Sequence, residues 1–298
     1  MLGRFRRWCR TGPIVGLLAF SLMLMAALGC SLAAVPPTPS PTPAPTSTPW
    51  PTPSPYPTWP PTATPEPPDS GWQVVQPGVE QRRLRIGTGD FFERLTIVRV
   101  DPGAVRLRVH YDPLAPRTVS AWADHLEQPL LVINGGYFTP ENVAVGLLVS
   151  DGQLWGSSSG DYAGMFAVAS DGQVSVRWLR DRPYDPGEPL QQALQSFPVL
   201  VKPGGVMGFP ADADDGRPSR RSVVAQDTQG RVLFMVAPNG YFSLHSLADF
   251  LASSDLDLDV ALNLDGGTSS GLWLRTDPAP IVIDSLVSVP AIIAVESP

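Results

Sequence analysis

The chain has 298 residues and a formal net charge of −7, with 28 acidic residues against 21 basic ones. Nucleic acid is excluded as an expected partner, because no basic stripe supplies the cations that would neutralise a phosphate backbone. The two cysteines, Cys9 and Cys30, both lie in the first 30 residues, so we expect a folded domain that is stable without disulfides.

The first 30 residues have the pattern of an export signal. Four arginines precede an uncharged apolar run over residues 14–28, which is shorter than the roughly 20 residues that a bilayer span needs. The sequence Ala-Leu-Gly-Cys ending at Cys30 is similar to a bacterial lipoprotein processing site. We predict a signal peptide over residues 1–30, lipidation of Cys30, and an extracytoplasmic protein anchored in the cell membrane. Ordinary cleavage after Ala33 or Ala34, with free secretion, is the alternative.

Residues 31–70 are predicted to form a disordered stalk rich in Pro and Thr. Residues 36–68 include 16 prolines among 33 residues and almost no charge, a composition that cannot form a packed core. Residues 71–298 remain, which is enough for one domain with its own core. Alternating apolar and polar residues around Asp-Gly turns predict an α+β fold: a β-rich single domain of mixed or antiparallel sheet with a few packed helices.

The predicted elements of this domain follow from local patterns. Residues 95–100 and 105–111 alternate around an Asp-Pro-Gly turn, which is typical of a β-hairpin. Helical spacing of apolar residues predicts two helices. In chain order, the further predictions are a helix over 120–126, a strand ending at 134, hairpins over 147–155 and 165–178, a loop over 180–189, a loop over 202–218, a hairpin over 222–237, a helix over 243–253 and a strand over 257–265.

Two of these apolar strands end in Asn or Asp followed by paired glycines. Residues 134–138 read NGGYF, and residues 263–271 read NLDGGTSSG. Because side chains alternate along a strand, Asn263 and Asp265 share the face opposite the neighbouring leucines. We predict one polar site built from both strand ends, in which turn amides hold an anion. Ordinary glycine turns, with Asp265 bonded only to its own turn, are the alternative.

Other residues near these strand ends suit a sugar phosphate. Tyr137 and Phe138 offer an apolar wall for a sugar ring, although both suit a protein core equally well. Arg221 precedes a buried strand, where its planar guanidinium can meet a phosphate or a carboxylate, or simply remain in solvent. The three histidines lack metal-ligand spacing, and no zinc-protease or serine-hydrolase motif occurs. We therefore predict no metal site, while a calcium ion bound by some of the many carboxylates is the alternative.

The chain resembles the phosphodiester glycosidase family over residues 91–296. The matching segments are NGGYF from Asn134, FPVLV from Phe197, RRSVVAQDTQGRVLFMV from Arg220, LADFL followed by NLDGGTSS from Asn263, and VPAIIAV from Val289. Thr268 stands where the family has a third glycine, and Ser222 where threonine is usual. The resemblance implies hydrolysis of a sugar-1-phosphodiester, in an envelope glycopolymer or another carbohydrate, to free sugar and phosphomonoester without a cofactor.

The resemblance also implies roles for individual residues. Asp265 would act on water or on the anomeric centre, Arg221 would bind the phosphate, and Asn134 would complete the catalytic set by binding sugar hydroxyls or orienting its neighbours. Two alternatives stay open: a non-catalytic glycan-binding lipoprotein, and a metal-dependent phosphodiesterase that breaks the P–O bond. The predicted substrate-binding residues are Gly135, Gly136, Tyr137, Phe138, Asn263, Gly266, Gly267 and Ser269.

Overall fold

The computed structural model describes residues 67–298. The predicted leader, Cys30 and nearly all of the predicted stalk lie outside the described residues and stay predictions. The described residues belong to one compact unit, Thr62–Pro298. Pro68 contacts the second strand of the fold, since its carbonyl accepts a hydrogen bond of 2.6 Å from the backbone N–H of Arg85.

Eighteen strands, two α-helices and two short 3-10 helices make up the regular structure of residues 67–298. The 3-10 helices are Ala211–Ala213 and Gly267–Ser269. In chain order, the other elements are β1 (Gln73–Gln76), β2 (Val79–Thr88), β3 (Phe91–Val100), β4 (Arg106–Tyr111), α1 (Val119–His125), β5 (Leu131–Asn134), β6 (Leu148–Ser150), β7 (Gln153–Trp155), β8 (Gly164–Ala169), β9 (Val174–Trp178), β10 (Leu190–Ser196), β11 (Val199–Lys202), β12 (Val206–Met207), β13 (Ser219–Asp227), β14 (Val232–Phe242), α2 (Leu244–Ala252), β15 (Leu258–Asn263), β16 (Leu272–Leu274), β17 (Ile281–Ile283) and β18 (Ala291–Glu296).

The strands form three sheets. The largest has eight strands in the order β1-β2-β3-β14-β13-β15-β11-β12, and the two others have five strands each, ordered β7-β6-β10-β8-β9 and β17-β16-β5-β18-β4. All strand pairings in the described region are antiparallel. The β-rich prediction is confirmed, but with only two α-helices among residues 67–298 the fold is mostly β rather than α+β.

The eight-stranded sheet is buried on both faces near its middle. Alternation places Val224 of β13 and Leu262 of β15 in the main core, which is shared with the five-stranded sheets. The neighbouring residues Val223 and Ala261 point to the other face, where they pack in a second core with α2. Burial on both faces explains why these strands read as nearly continuous apolar runs.

Helix α2 covers the second core and begins beside the predicted site. Ser243 is its N-cap residue, and the Ser243 side chain accepts a hydrogen bond of 3.2 Å from the Ser246 N–H. Leu247 and Leu251 lie one turn apart on the buried face. The cap and this apolar face fix the first turn of α2 against the sheet.

Three of the four predicted hairpins are confirmed, and the first is wrong. β6 pairs with β7, β8 with β9 and β13 with β14, each across an Asp-containing turn. β3 does not pair with β4: it pairs with β2 and β14, whereas β4 pairs with β18 in another sheet. The reason is packing, because Val98 and Val100 of β3 share the main core with Leu107 and Val109 of β4. The two strands therefore belong to different layers of the fold.

Candidate active site

The turn after β5 and the turn after β15 contact each other directly. The Asn134 side-chain amide donates to the Asp265 carbonyl over 2.8 Å, and the Asp265 N–H donates to the Gly135 carbonyl over 3.1 Å. β5 and β15 belong to different sheets. The two hydrogen bonds therefore join two layers of the fold at the ends of two buried strands.

Asn134 uses all of its polar atoms inside the protein. The side chain is fully buried, and its Oδ1 accepts hydrogen bonds from Ser222 Oγ at 2.6 Å and from the Gly271 N–H at 3.1 Å. Its Nδ2 donates to the carbonyls of Gly135 and Asp265. An amide without a free donor or acceptor cannot bind a sugar hydroxyl, so that part of the predicted role is wrong. Asn134 is a positioning residue that fixes the backbone of Asp265.

Gly135 and Gly136 bring the first turn close to the protein's own chain. A β-carbon on Gly135 would lie 2.9 Å from the Ala291 carbonyl oxygen, and one on Gly136 would lie 3.0 Å from the Gln195 carbonyl oxygen. Larger residues would therefore push β18 and β10 away from the turn. The two glycines thus let neighbouring strands pack against the turn. Their approach to a ligand stays a prediction.

Asn263 orients Tyr137. The Asn263 side chain is fully buried, and its Nδ2 donates to Tyr137 Oη at 2.9 Å and to the Phe197 carbonyl at 3.0 Å. Tyr137 Oη in turn donates to the same carbonyl at 2.8 Å. The Nδ2 atom of Asn263 thus acts on its neighbours, whereas its buried Oδ1 has no hydrogen-bond partner among the described residues. The predicted contact between Asn263 and a sugar hydroxyl stays a prediction. Asn263 holds a tyrosine whose ring reaches the surface.

The two aromatic residues of the first turn have different surroundings. Phe138 is partly buried and packs against a small core cluster beside α1 that includes Trp122 and Ile292. Tyr137 is half-buried and lines a cavity of about 930 Å³, where its ring meets Tyr162 edge to face at 5.8 Å. The predicted contact of Phe138 with a sugar stays a prediction, whereas Tyr137 lies at a cavity that can hold a ligand.

Asp265 is a partly buried carboxylate held by its own turn. Burial raises the pKa of Asp265 to about 6, although the Ser269 hydroxyl and the Gly266 N–H both donate to the carboxylate and oppose the rise. The Ser269 hydroxyl proton is used in this bond, so Ser269 supports Asp265 and does not serve as the predicted donor to a substrate. A carboxylate with a pKa near neutrality is suited to proton transfer.

Gly266 and Gly267 shape the turn that carries Asp265. Gly267 has φ +60°, a left-handed conformation that favours glycine, and it begins the 3-10 turn that ends at Ser269. A β-carbon on Gly266 would lie 3.1 Å from the Arg220 carbonyl oxygen and 3.7 Å from Arg221 Nη1. Gly266 therefore keeps the turn within van der Waals distance of the arginine side chain.

Arg221 lies on the same face of the large sheet as Asn263. Residues two apart on a strand point to the same face. Arg221 therefore shares the face of Val223, and Asn263 shares the face of Ala261. Both of these apolar residues pack in the core under α2. The Arg221 guanidinium donates to the carbonyls of Phe242 at 3.2 Å and of Arg217 at 3.1 Å. The second of these contacts ties it to the predicted loop over residues 202–218.

The charge of Arg221 is not neutralised by a direct ion pair. Among the ion pairs of residues 67–298, none involves Arg221. Burial lowers the pKa of this guanidinium, while Tyr137, Asp214 and Asp215 act in the opposite direction through their charges. A half-buried arginine without a carboxylate partner is a site for an anion.

A cavity beside these residues was not predicted from the sequence. It has a volume of about 930 Å³ and is bordered by Tyr137, Tyr162, Tyr184 and Phe197, with Arg180 and Asp161 adding charge. Burial is the main cause that raises the pKa of Tyr162, and the negative charge of Asp265 raises it further. The cavity thus lies within the electrostatic reach of Asp265. Its walls come mostly from loops, and loop residues lack the periodic apolar pattern that predicts helices and strands. Of these wall segments, the loop over residues 180–189 is the one that the sequence predicts.

A family model for phosphodiester glycosidases matches residues 128–295. The chain belongs to the phosphodiester glycosidase family. It is 28% identical over 162 residues to mouse N-acetylglucosamine-1-phosphodiester alpha-N-acetylglucosaminidase. This similarity covers 48% of the chain but only 31% of the mouse protein, so the chain spans about a third of the length of its curated relative.

Solved structures support the same fold for this phosphodiester glycosidase domain. The zebrafish N-acetylglucosamine-1-phosphodiester alpha-N-acetylglucosaminidase catalytic domain, auto-inhibited by its pro-peptide, superposes with a TM-score of 0.59 at 19% identity, over 76% of this chain and 86% of that one. A hypothetical protein from Synechocystis gives a TM-score of 0.54 at 16% identity, over 78% and 64% of the two chains. At such identities the similarity concerns the fold alone.

The match with the phosphodiester glycosidase model includes both glycine turns, Arg221 and the walls of the cavity. β1 to β4 lie before it. Within residues 67–298, no three His, Cys, Asp or Glu side chains come together as a set of metal ligands. No helix in the described part of the chain is long and apolar enough to cross a bilayer.

Proposed function

We propose that the chain is a hydrolase that cleaves a sugar-1-phosphodiester between the anomeric carbon and the phosphate oxygen. The observation that carries this proposal is the arrangement of Asp265 and Arg221 at one turn: a carboxylate with a raised pKa and an unneutralised guanidinium, beside an aromatic cavity. Membership of the phosphodiester glycosidase family supports the same chemistry.

The proposed reaction needs one carboxylate and one cation. Water attacks the anomeric carbon and transfers a proton to Asp265, the bond from that carbon to oxygen breaks, and the phosphate leaves with the bonding electrons. The proton passes from Asp265 to solvent, and the products are the free sugar and a phosphomonoester. Because a phosphomonoester is a good leaving group, protonation of the leaving oxygen matters less than in ordinary glycosidases. Arg221 stabilises the charge that the phosphate gains.

The positions of the charged groups suggest how the substrate is oriented. The negative charge of Asp265 reaches both Tyr137 and Tyr162, which border the cavity, while Arg221 lies beside Gly266 and its charge also reaches Tyr137. We place the sugar ring in the cavity, where tyrosine rings offer apolar surface to its CH groups, and the phosphate at Arg221. In this arrangement, the anomeric carbon lies next to Asp265.

Product analysis in labelled water tests the reaction. The chain is incubated with methyl phosphodiesters of several hexose 1-phosphates, including that of N-acetylglucosamine, in water enriched in oxygen-18. Free sugar that carries the label at its anomeric oxygen, together with unlabelled methyl phosphate, supports the proposal. Label on phosphorus would instead indicate a phosphodiesterase that breaks the P–O bond. Tight binding of the sugar without any turnover would indicate the glycan-binding alternative.

We also propose that the enzyme is exported and anchored to the cell membrane through Cys30. The support is the arginine-rich start, the short apolar run and the lipoprotein-like sequence that ends at Cys30. An exported enzyme would meet envelope glycopolymers, which contain glycosyl phosphodiesters. Replacement of Cys30 by Ser should release the protein from the membrane fraction, and retention after leader cleavage would contradict the anchor.

A further inference from the structure

A second cleft lies away from the candidate active site and contains arginines. It has a volume of about 730 Å³ and shares none of its lining residues with the large cavity. Arg83, Arg85 and Arg94 of β2 and β3 line one wall, together with Thr96, and Ile281 and Ile283 of β17 line the opposite wall. The cleft thus separates the eight-stranded sheet from an edge of a five-stranded sheet.

Two arginines in this cleft face each other without an acidic partner. Arg85 of β2 lies directly opposite Arg94 of β3 in the strand register, and like charges in such positions repel each other. Neither forms an ion pair with a described carboxylate. By contrast, Arg99 of β3 pairs with Glu80 of β2 at 2.6 Å on the same pair of strands. The strands therefore supply counter-charges elsewhere but not for Arg85 and Arg94.

The two guanidinium groups are held in place by neutral groups. Both stack on Phe92, with their central carbons 4.1 Å from the ring centre for Arg85 and 5.2 Å for Arg94. Arg85 Nη2 also donates to the Gly89 carbonyl at 2.8 Å. No acidic residue is found among the described residues that line the cleft, although acidic residues exceed basic ones in the chain as a whole. Within residues 67–298, these two exposed arginines are ordered by neutral groups and have no acidic side chain beside them, an arrangement that suits an anion.

We propose that this cleft binds an organic phosphate ester, with the phosphate between Arg85 and Arg94 and the apolar part against Ile281 and Ile283. Two planar arginine groups offer more donors than the two oxygens of a carboxylate accept, whereas a phosphate ester has enough oxygens for both. The half-buried isoleucines would be covered by the apolar part of the ligand. The site does not depend on the proposed catalytic function, since the two sites share no residue.

Calorimetric titration with hexyl phosphate tests the site in the Cys30→Ser chain, with inorganic phosphate and hexanol as partial ligands. We expect hexyl phosphate to bind more tightly than either partial ligand. Arg85→Gln and Arg94→Gln should each weaken this binding about tenfold or more, because each removes charge-assisted hydrogen bonds. Arg106→Gln, at an exposed strand position outside the cleft, should leave it unchanged. Equal affinity in all four proteins would overturn the proposal.

Thermal unfolding provides a second measurement that separates binding from folding. Without ligand, Arg85→Gln should melt close to the temperature of the parent chain, because loss of the repulsion from Arg94 offsets loss of the contacts with Phe92 and Gly89. Hexyl phosphate should then raise the melting temperature of the parent chain but not of the variant. A similar rise in both proteins would place the ligand elsewhere, for example at Arg221, and would refute this cleft as the site.

Flotation with vesicles distinguishes two sources of the phosphate ester. Vesicles of phosphatidylcholine with added phosphatidylglycerol present the ester at a membrane surface, while hexyl phosphate presents it in solution. Binding to these vesicles that is lost in Arg85→Gln identifies a lipid headgroup as the ligand. Binding of hexyl phosphate alone, without vesicle binding, identifies a soluble ester. Failure of both would exclude the cleft as a phosphate site.

Discussion

Asp265→Asn should abolish turnover while making the protein more stable at neutral pH. The substitution keeps the shape of the side chain and removes a charge that is unfavourable in the folded state. Burial raises the pKa of Asp265 from 3.8 to about 6, so ionisation costs more in the folded protein than in the unfolded chain. Loss of the ionisable group removes the proposed base and this cost together.

The size of the effect follows from the pKa shift. A rise of about two units corresponds to about 3 kcal/mol of destabilisation at pH values above 6. This is an upper limit, because the side chain is only partly buried and asparagine makes weaker hydrogen bonds with Ser269 and Gly266. Allowing about 1 kcal/mol for each weakened bond, we expect a net gain of about 1 kcal/mol. For a domain of this size that is a rise of about 2–4 °C in melting temperature.

The pH dependence of the gain identifies its cause. Because the pKa of Asp265 is higher in the folded state, the folded protein binds more protons between pH 3.8 and 6, and its stability from this group falls as the pH rises through that window. Calorimetric melting of both proteins should therefore show the advantage of Asp265→Asn at pH 7.5 but not at pH 4. Asp124→Asn, an exposed change of equal charge on α1, is the control. A difference that does not change with pH, or a less stable variant at pH 7.5, would refute the reasoning.

Three further predictions concern the same site. The kcat/KM of the hydrolase should fall about tenfold per pH unit below a pKa of about 6, because protonated Asp265 cannot accept a proton from water; a constant rate down to pH 5 would contradict this. Arg221→Lys should lower kcat/KM about 10- to 100-fold through loss of the planar fork, whereas Arg217→Lys, with a side chain that is 87% exposed, should not change it. Asn134→Ala leaves three buried partners unbonded, so melting should occur about 6–12 °C lower, and an unchanged melting temperature would argue against its positioning role.

Much of the local structure could be predicted from the sequence, because it depends on short-range patterns. Both helices and three hairpins follow from apolar spacing and Asp-containing turns. The hairpin over residues 95–111 failed because alternation shows which face of a strand is buried but not which layer contains the strand. Val98 and Leu107 pack face to face across a core instead of side by side in a sheet. The order of eight strands depends on pairings between distant segments, which local patterns do not encode.

The same limit applies to the candidate site. Alternation and paired glycines predict that Asp265 and Asn263 share one face and that a second strand end lies nearby. They do not reveal which polar atoms are used inside the protein. Asn134 is saturated because Ser222 and Gly271 meet it from other strands, and the Nδ2 atom of Asn263 is occupied because Tyr137 reaches it across the turn. Residue type predicts that an amide is important at these positions, whereas only the packing decides whether it binds a ligand or a neighbour.

Asp265 and Arg221 lie at the same turn, and no direct ion pair joins them. A direct ion pair would lower the pKa of Asp265 and raise that of Arg221, but burial shifts both pKa values in the opposite directions. The carboxylate is bonded to its own turn and the guanidinium to backbone carbonyls, so neither group has its charge compensated. Asn134 fixes the backbone of Asp265 in this arrangement. In the proposed reaction, a phosphodiester that enters between them would bring one negative charge to Arg221 and the anomeric carbon to Asp265. Arg221, whose charge is not compensated by a carboxylate partner, would then stabilise the charge that develops on the leaving phosphate.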